Sequence, residues 1–220
     1  MVTLIFLNLR TTLFRLVQYI CVVFRYYPRF LITDVLLAAQ YFVHPPYKIS
    51  KRFLRQRGEL DLYSYGETPL TTLDYIARKC HILSKDCVVD LGCGTGRTSF
   101  WMAQFIRCRV IGVDYLPTFI RKARNTLRWT LLDNLTFYEQ DMLNVDLTPA
   151  TVIYLYGTLL QDSMIYKLCD RFAATQSRVI SVSYPLCEYD NRFCTVKEFS
   201  ARFPWGKAQI YLNVIGRAHA

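Results

Sequence analysis

The sequence predicts an α/β fold, a doubly wound and mostly parallel seven-stranded sheet that ends in an antiparallel hairpin and is preceded by an apolar helical extension. Three observations carry this. From residue 69 onward, short apolar runs alternate with longer helical patterns, the signature of βαβ units whose sheet is covered on both faces. The stretch Val88-Val89-Asp90-Leu91-Gly92-Cys93-Gly94-Thr95-Gly96-Arg97 sets a glycine-dense turn between a strand-like run and a helix-like one. The last two apolar runs are joined only by Phe203-Pro204-Trp205-Gly206, which predicts a hairpin.

Taken in order, residues 1–45 are apolar and aromatic, with uncharged runs at 1–9, 16–24 and 35–47. None reaches the roughly 18–20 apolar residues of a membrane span. Arg10, Arg15 and Arg25 interrupt, each costing about 2.5–3.5 kcal/mol at the centre of a spanning helix. The start also lacks the basic first region of a secretory signal. Wound as a helix, residues 8–25 gather Asn8, Arg10, Thr11, Arg15, Gln18 and Arg25 in one arc of about 160°. Leu13, Leu16, Val17, Ile20 and Phe24 lie mostly outside it, and Val22 intrudes. A basic face opposite an apolar one suits a helix lying in an anionic membrane interface; the same pattern also suits a lid packed on the domain that follows. A second apolar segment, 30–43, stops at Pro45-Pro46, and the basic cluster 51–57 (KRFLRQR) is placed to reach lipid headgroups. Residues 1–57 are read as this extension and 58–220 as the catalytic domain. Within the latter the pattern predicts helix 69–82, strand 87–91, helix 97–106, strand 109–113, helix 117–131, strand 135–139, strand 151–156, helix 161–174, strand 177–183, and hairpin strands 193–202 and 207–215.

The 220 residues suffice for one such domain plus the extension, and an apolar fraction of 52% supports a full core. The net charge of +10 is uneven: residues 1–57 hold nine Lys/Arg and one acid, leaving the rest nearly neutral. The basic excess therefore speaks to location or partners, and a near-neutral catalytic domain argues against a nucleic-acid partner. The eight cysteines form no CxxC, and several fall in predicted buried strands, which favours reduced thiols in a cytoplasmic compartment. His44, His81 and His219 make no ligand spacing, so no metal site is expected.

The chemistry lies in the glycine turn. Side chains at 92, 94 or 96 would keep the backbone from closing on a ligand, and some of these positions require positive φ. The helix that follows offers free N–H groups. Asp114 ends the next apolar run, where a carboxylate can accept both hydroxyls of a ribose. Asp90 precedes the turn, and the spacing is GxGxG rather than the GxGxxG of a pyrophosphate cradle. A carboxylate-flanked turn suits a cationic amino-acid ligand, which points to S-adenosylmethionine. The ligand should lie in the crevice outside the strand ends. There Asp141 would take the adenine amine and Met142 pack on the ring, with Thr68, Thr95 and Tyr115 completing the shell. Of Tyr154 and Tyr156, only one is expected to face the crevice, and Tyr156 is assigned to the cofactor.

These residues resemble the class I, seven-stranded S-adenosylmethionine-dependent methyltransferases over about residues 65–215. A narrower resemblance rests on Tyr65-Gly66-Glu67-Thr68-Pro69, on Arg178–Leu186, and on Trp205-Gly206 with Ala208–Leu212. These are similar to segments of the small membrane-anchored lysine methyltransferases of the ATP synthase subunit c type and their bacterial relatives. Asp114 stands where that group tends to carry Glu, and Ser183-Tyr184 where a His-Asp-Phe-like sequence is more typical. The resemblance implies a protein lysine N-methyltransferase acting near a membrane, with Glu67 and Tyr65 positioning the target amine. A small-molecule or lipid methyltransferase walled by the N-terminal helices remains open. So does a non-catalytic membrane scaffold, although a scaffold needs none of the glycine motif. Residues 154–157 (YLYG) lack the NPPY-type tetrapeptide of many nucleic-acid amino-methyltransferases.

Overall fold

The computed structural model describes residues 30–58, 65–157 and 160–216, together with Leu13, Val17 and Ile20. Most of the expected helix 8–25 therefore lies outside the described residues, as do residues 59–64 at the start of the expected catalytic domain.

Seven strands form one sheet in the order β3-β2-β1-β4-β5-β7-β6. They are β1 (Cys87–Leu91), β2 (Arg109–Asp114), β3 (Leu135–Glu139), β4 (Val152–Leu155), β5 (Arg178–Val182), β6 (Phe193–Phe203) and β7 (Gly206–Ile215). The first five are parallel, and β7 runs antiparallel to both β5 and β6. This is the predicted architecture, with strand ends within a residue of expectation. Successive side chains of a strand point to opposite faces, and the core divides accordingly. Val88, Val110 and Val152 join one cluster with helices α1 (Leu31–Tyr41), α3 (Leu70–Lys79), α4 (Arg97–Trp101) and α5 (Pro117–Thr130). Val89, Ile111 and Ile153 join another with α6 (Asp162–Ala173).

The chain runs outward from β1 to β3, then returns to β4 and continues the other way. The order reverses between β1 and β4, and in such sheets this reversal opens a crevice beyond the carboxyl ends of the strands.

Two local features depart from the sequence reading. The helix expected over 97–106 is α-helical only to Trp101. Met102–Ile106 is a π turn closed by the Arg107 N–H on the Met102 carbonyl at 3.1 Å. The wider turn goes with contacts to α1: Phe105 packs on Phe30 with ring centroids 6.0 Å apart, and Gln104 donates to the Thr33 hydroxyl at 2.8 Å. The second is α2 (Pro46–Gln56), for which the basic cluster alone gave no helix. Pro45-Pro46 reads as a stop, but proline is also favoured at the first helical position because that N–H has no partner to lose. Pro46 starts α2 in this way, and Ser50 and Leu54 form its buried side.

Helix α1 is fastened to α4 and α5. Phe30, Leu37 and Tyr41 are buried in the main core. Arg97, one residue past the glycine turn, donates to both carboxylate oxygens of Asp34 at 2.7 and 3.0 Å. Gln40 donates to the Lys122 carbonyl and to Thr126 on α5.

Gly96 caps the turn at φ +82°, and a Cβ there would lie 2.7 Å from the Phe137 ring. Gly58 has a similar φ of +72° but open space around it. Gly58→Ala should therefore cost only the left-handed penalty of about 1–2 kcal/mol, whereas Gly96→Ala adds overpacking and should cost about 2–5 kcal/mol. Urea denaturation of the two variants checks this; equal losses would remove Phe137 as the reason for glycine at 96.

Candidate active site

The turn after β1 is bonded to the end of β2. The N–H groups of Gly92 and Cys93 both reach the Val113 carbonyl, at 2.8 and 2.9 Å. The Gly94 N–H donates to Asp114 Oδ2 at 2.8 Å, and the Leu116 N–H donates to Oδ1 at 2.9 Å. All three turn glycines have positive φ, as L side chains rarely do. Asp90, 3% exposed, accepts from the Ser99 hydroxyl at 2.6 Å. Burial pushes the Asp90 carboxyl up to about 7, with the Asp114 charge adding to it and the Ser99 bond opposing. Burial likewise raises Asp114 to about 6 against the pull of its two backbone donors.

The 65–68 segment lies over the turn. The Tyr65 ring packs on Phe119 at 5.3 Å and comes within 3.2 Å of where a Gly94 Cβ would stand. Its hydroxyl donates to Glu67 Oε1 in a short bond, and the Thr95 hydroxyl donates to the same oxygen at 2.6 Å. Burial and the Glu67 carboxylate hold the Tyr65 phenol well above its usual range, so it remains a neutral donor. Thr68 shares a 2.6 Å hydrogen bond with the Tyr154 hydroxyl.

On the far side Tyr156, Phe203 and Trp205 form a column of stacked rings, with centroids 5.5 and 5.3 Å apart and planes within 16°. Trp205 Nε1–H reaches the Tyr156 hydroxyl at 3.2 Å. Gly66 is required beneath this column, because a Cβ would lie 2.9 Å from the Tyr156 ring.

Glu67, Thr68, Asp90, Gly92, Thr95 and Tyr156 thus line one cleft, which Gly94 and Asp114 adjoin. Tyr154 lines it as well. The expectation that only one of the two tyrosines faces the crevice is therefore corrected: residues i and i+2 of an extended chain share a face. The other expected residues stand further out. Met142 places its methyl 3.8 Å from where a Gly92 Cβ would be. Tyr115 is covered by α2, between the Phe53 ring at 5.5 Å and the Arg57 guanidinium at 5.5 Å. Asp141 is exposed and accepts the Leu143 N–H within its own turn at 2.8 Å. Sequence reasoning missed Arg97 and Thr98 on the cleft wall.

These residues fit S-adenosylmethionine. Each Asp114 oxygen accepts one backbone N–H and keeps a lone pair for a ribose hydroxyl. Above Gly92, only the flexible tip of Met142 would meet a side chain. The cleft itself encloses only about 10 Å³, far below the roughly 300–1,000 Å³ of small-molecule sites.

A family model described as the ANTKMT methyltransferase domain matches residues 90–192. The sterol 24-C-methyltransferase of Eremothecium gossypii is 34% identical over 84 residues, covering 38% of this chain and 22% of that protein. A 23S rRNA (uracil(1939)-C(5))-methyltransferase of Aliivibrio salmonicida is 35% identical over 57 residues, 26% of this chain and 13% of that protein. The chain thus spans about a fifth or less of the length of these curated relatives. Among solved structures, an RNA methyltransferase from Salinibacter ruber in complex with S-adenosyl-L-homocysteine aligns with a TM-score of 0.58 at 21% identity, over 70% of this chain and 96% of that one. The magnesium protoporphyrin IX methyltransferase of Synechocystis, with S-adenosylmethionine bound, aligns with a TM-score of 0.58 at 18% identity, over 80% and 97%. At such identities these two structures bear on fold alone. With the seven-stranded sheet they show the class I methyltransferase fold, and the family match marks residues 90–192 as similar to a methyltransferase domain.

Proposed function

We propose that this chain is a protein lysine N-methyltransferase that works at a membrane surface. The observation that carries the amine reading is the Glu67 carboxylate on the wall of the cofactor cleft. Its Oε1 is occupied by Tyr65 and Thr95, while Oε2 has no hydrogen-bond partner among the described residues. A carboxylate fixed beside a π-face, here Tyr156, favours a cationic amine over a neutral nucleophile. The match to the ANTKMT methyltransferase domain supports methyl transfer as the reaction.

When bound, the cofactor supplies a methyl group on a sulfonium, open to in-line displacement that leaves a neutral thioether. The protein's part is alignment and desolvation. Asp114 would hold the ribose hydroxyls, and Asp90 would offset the positive charge of the ligand. Glu67 accepts a hydrogen bond from the incoming amine, and Tyr65 with Thr95 fixes the orientation of that carboxylate. A lysine attacks only as the neutral amine, and burial beside a sulfonium lowers its pKa. Its proton leaves to solvent, so no dedicated base is required.

The membrane reading draws on surface chemistry. Ile32, Val35 and Phe42 are exposed along α1 at helical spacing, Phe42 at 88%. Val43, Trp129 and Leu131 are exposed beside them, and Lys48, Arg52 and Arg121 line a groove between α2 and α5. Apolar side chains rimmed by basic ones suit an anionic lipid interface. No helix among the described residues is long and apolar enough to cross a membrane. A lipid or small-molecule substrate is the second reading, favoured by the likeness to the sterol methyltransferase.

With methyl-tritiated S-adenosylmethionine and fractionated membranes, label should enter a protease-sensitive band and be lost with Asp114→Ala. Glu67→Gln should retain cofactor binding but turn over at least about tenfold more slowly, as expected from losing one charged hydrogen bond. Label in the organic extract would replace the lysine reading with the lipid one.

The two buried carboxyls set a pH dependence. Their raised values mean that the ligand-free protein holds protons there that the unfolded chain releases near pH 4. That contribution to stability is lost as pH rises toward 7. A cationic ligand needs the ionised forms. S-Adenosylmethionine should therefore bind at least about tenfold more tightly at pH 7 than at pH 5, each group supplying up to about a factor of ten per pH unit below its pKa. Calorimetric titration at the two pH values checks this, and equal affinities would remove Asp90 and Asp114 from the ligand's charge balance.

A further inference from the structure

Tyr41 has a buried hydroxyl with no hydrogen-bond partner among the described residues. It is the last residue of α1 and is 7% exposed. Its ring meets Phe119 edge-on at 6.2 Å, and the Lys122 ammonium sits 4.4 Å from the ring centroid. Phe119 packs in turn on Tyr65, the ring that covers Gly94. The phenol is therefore two ring contacts from the glycine turn. Burial, followed by the charges of Glu67, Cys93 and Asp114, drives its pKa far up, so it stays a neutral O–H donor.

Native proteins seldom leave a buried hydroxyl unpaired, because desolvation is then uncompensated. Packing does not require the oxygen here, since phenylalanine would keep both ring contacts. The position is not accidental looseness either. Helix α1 is held by Asp34 on Arg97 and by Gln40 on α5, about two turns and one residue before Tyr41.

We propose that Tyr41 is a cofactor-binding residue supplied by the N-terminal helix, its hydroxyl donating to the ribose of S-adenosylmethionine on the Asp114 side of the glycine turn. The proposal rests on the cofactor reading and adds α1 to the pocket. Asp114 is an acceptor for ribose hydroxyls, and a phenol on the same side supplies the complementary donor. Binding would then satisfy a group that folding leaves unsatisfied, and α1 would tighten on the ligand.

The test pairs affinity with stability of the ligand-free protein, using full-length chain and S-adenosylhomocysteine as the probe. Tyr41→Phe should weaken binding by about 5–30-fold, the range for one buried hydrogen bond. Its urea midpoint without ligand should be equal to or above that of the wild type. Unchanged affinity would overturn the proposal. So would a loss of affinity accompanied by a lower midpoint, which marks a structural role. A wild-type chain that binds no S-adenosylhomocysteine would overturn the cofactor reading itself, and Tyr41 with it.

Discussion

The site depends on how the turn after β1 is held against β2. A chain leaving a parallel strand has no hairpin partner, so its backbone donors must find acceptors elsewhere. Here Gly92 and Cys93 spend theirs on the Val113 carbonyl and Gly94 on the Asp114 carboxylate. The turn is thereby fixed to the next strand before any ligand arrives. Positive φ at three glycines is the backbone condition for this path, and the small volume at 96 lets Phe137 fill the space beneath.

That arrangement places two carboxylates in a poorly solvated cleft a few residues apart in space. Neither has an arginine or lysine bonded to it; Asp90 rests on Ser99 and Asp114 on two N–H groups. Such groups favour a proton over ionisation until a cation enters. The cleft is therefore electrostatically matched to a cationic ligand and poorly matched to a phosphate. Arg97, on the cleft wall, has its guanidinium paired with the Asp34 carboxylate. In this way the salt bridge that docks α1 also offsets the one positive charge named on the cleft wall.

The central strands and the hairpin were legible in the sequence because their apolar runs are short, bounded by turn residues, and buried on both faces. Asp90, the glycines and Asp114 were legible because they lie close to one another along the chain, at spacings set by a single βαβ unit. Glu67, Thr68 and Tyr65 could be assigned through family resemblance. Their grouping around Thr95 and Tyr154 joins segments far apart in sequence. Tyr154 was discounted through a misapplied alternation. Helix α2 was missed because a run of basic residues looks like a solvated surface until a buried Leu54 shows which side is covered.

The sequence by itself determined the sheet, its switch point and the carboxylate-flanked turn, because each follows from local backbone requirements and a period of two or 3.6 residues. Only the tertiary structure decided that α1 closes on the turn, with Asp34 meeting Arg97 and Tyr41 reaching the region of Asp114. The same apolar, basic pattern in the extension is compatible with a lipid interface or with a protein groove. Hydrophobic burial is non-directional, so which surface covers an amphipathic helix is settled by the shape and polar partners of what it meets.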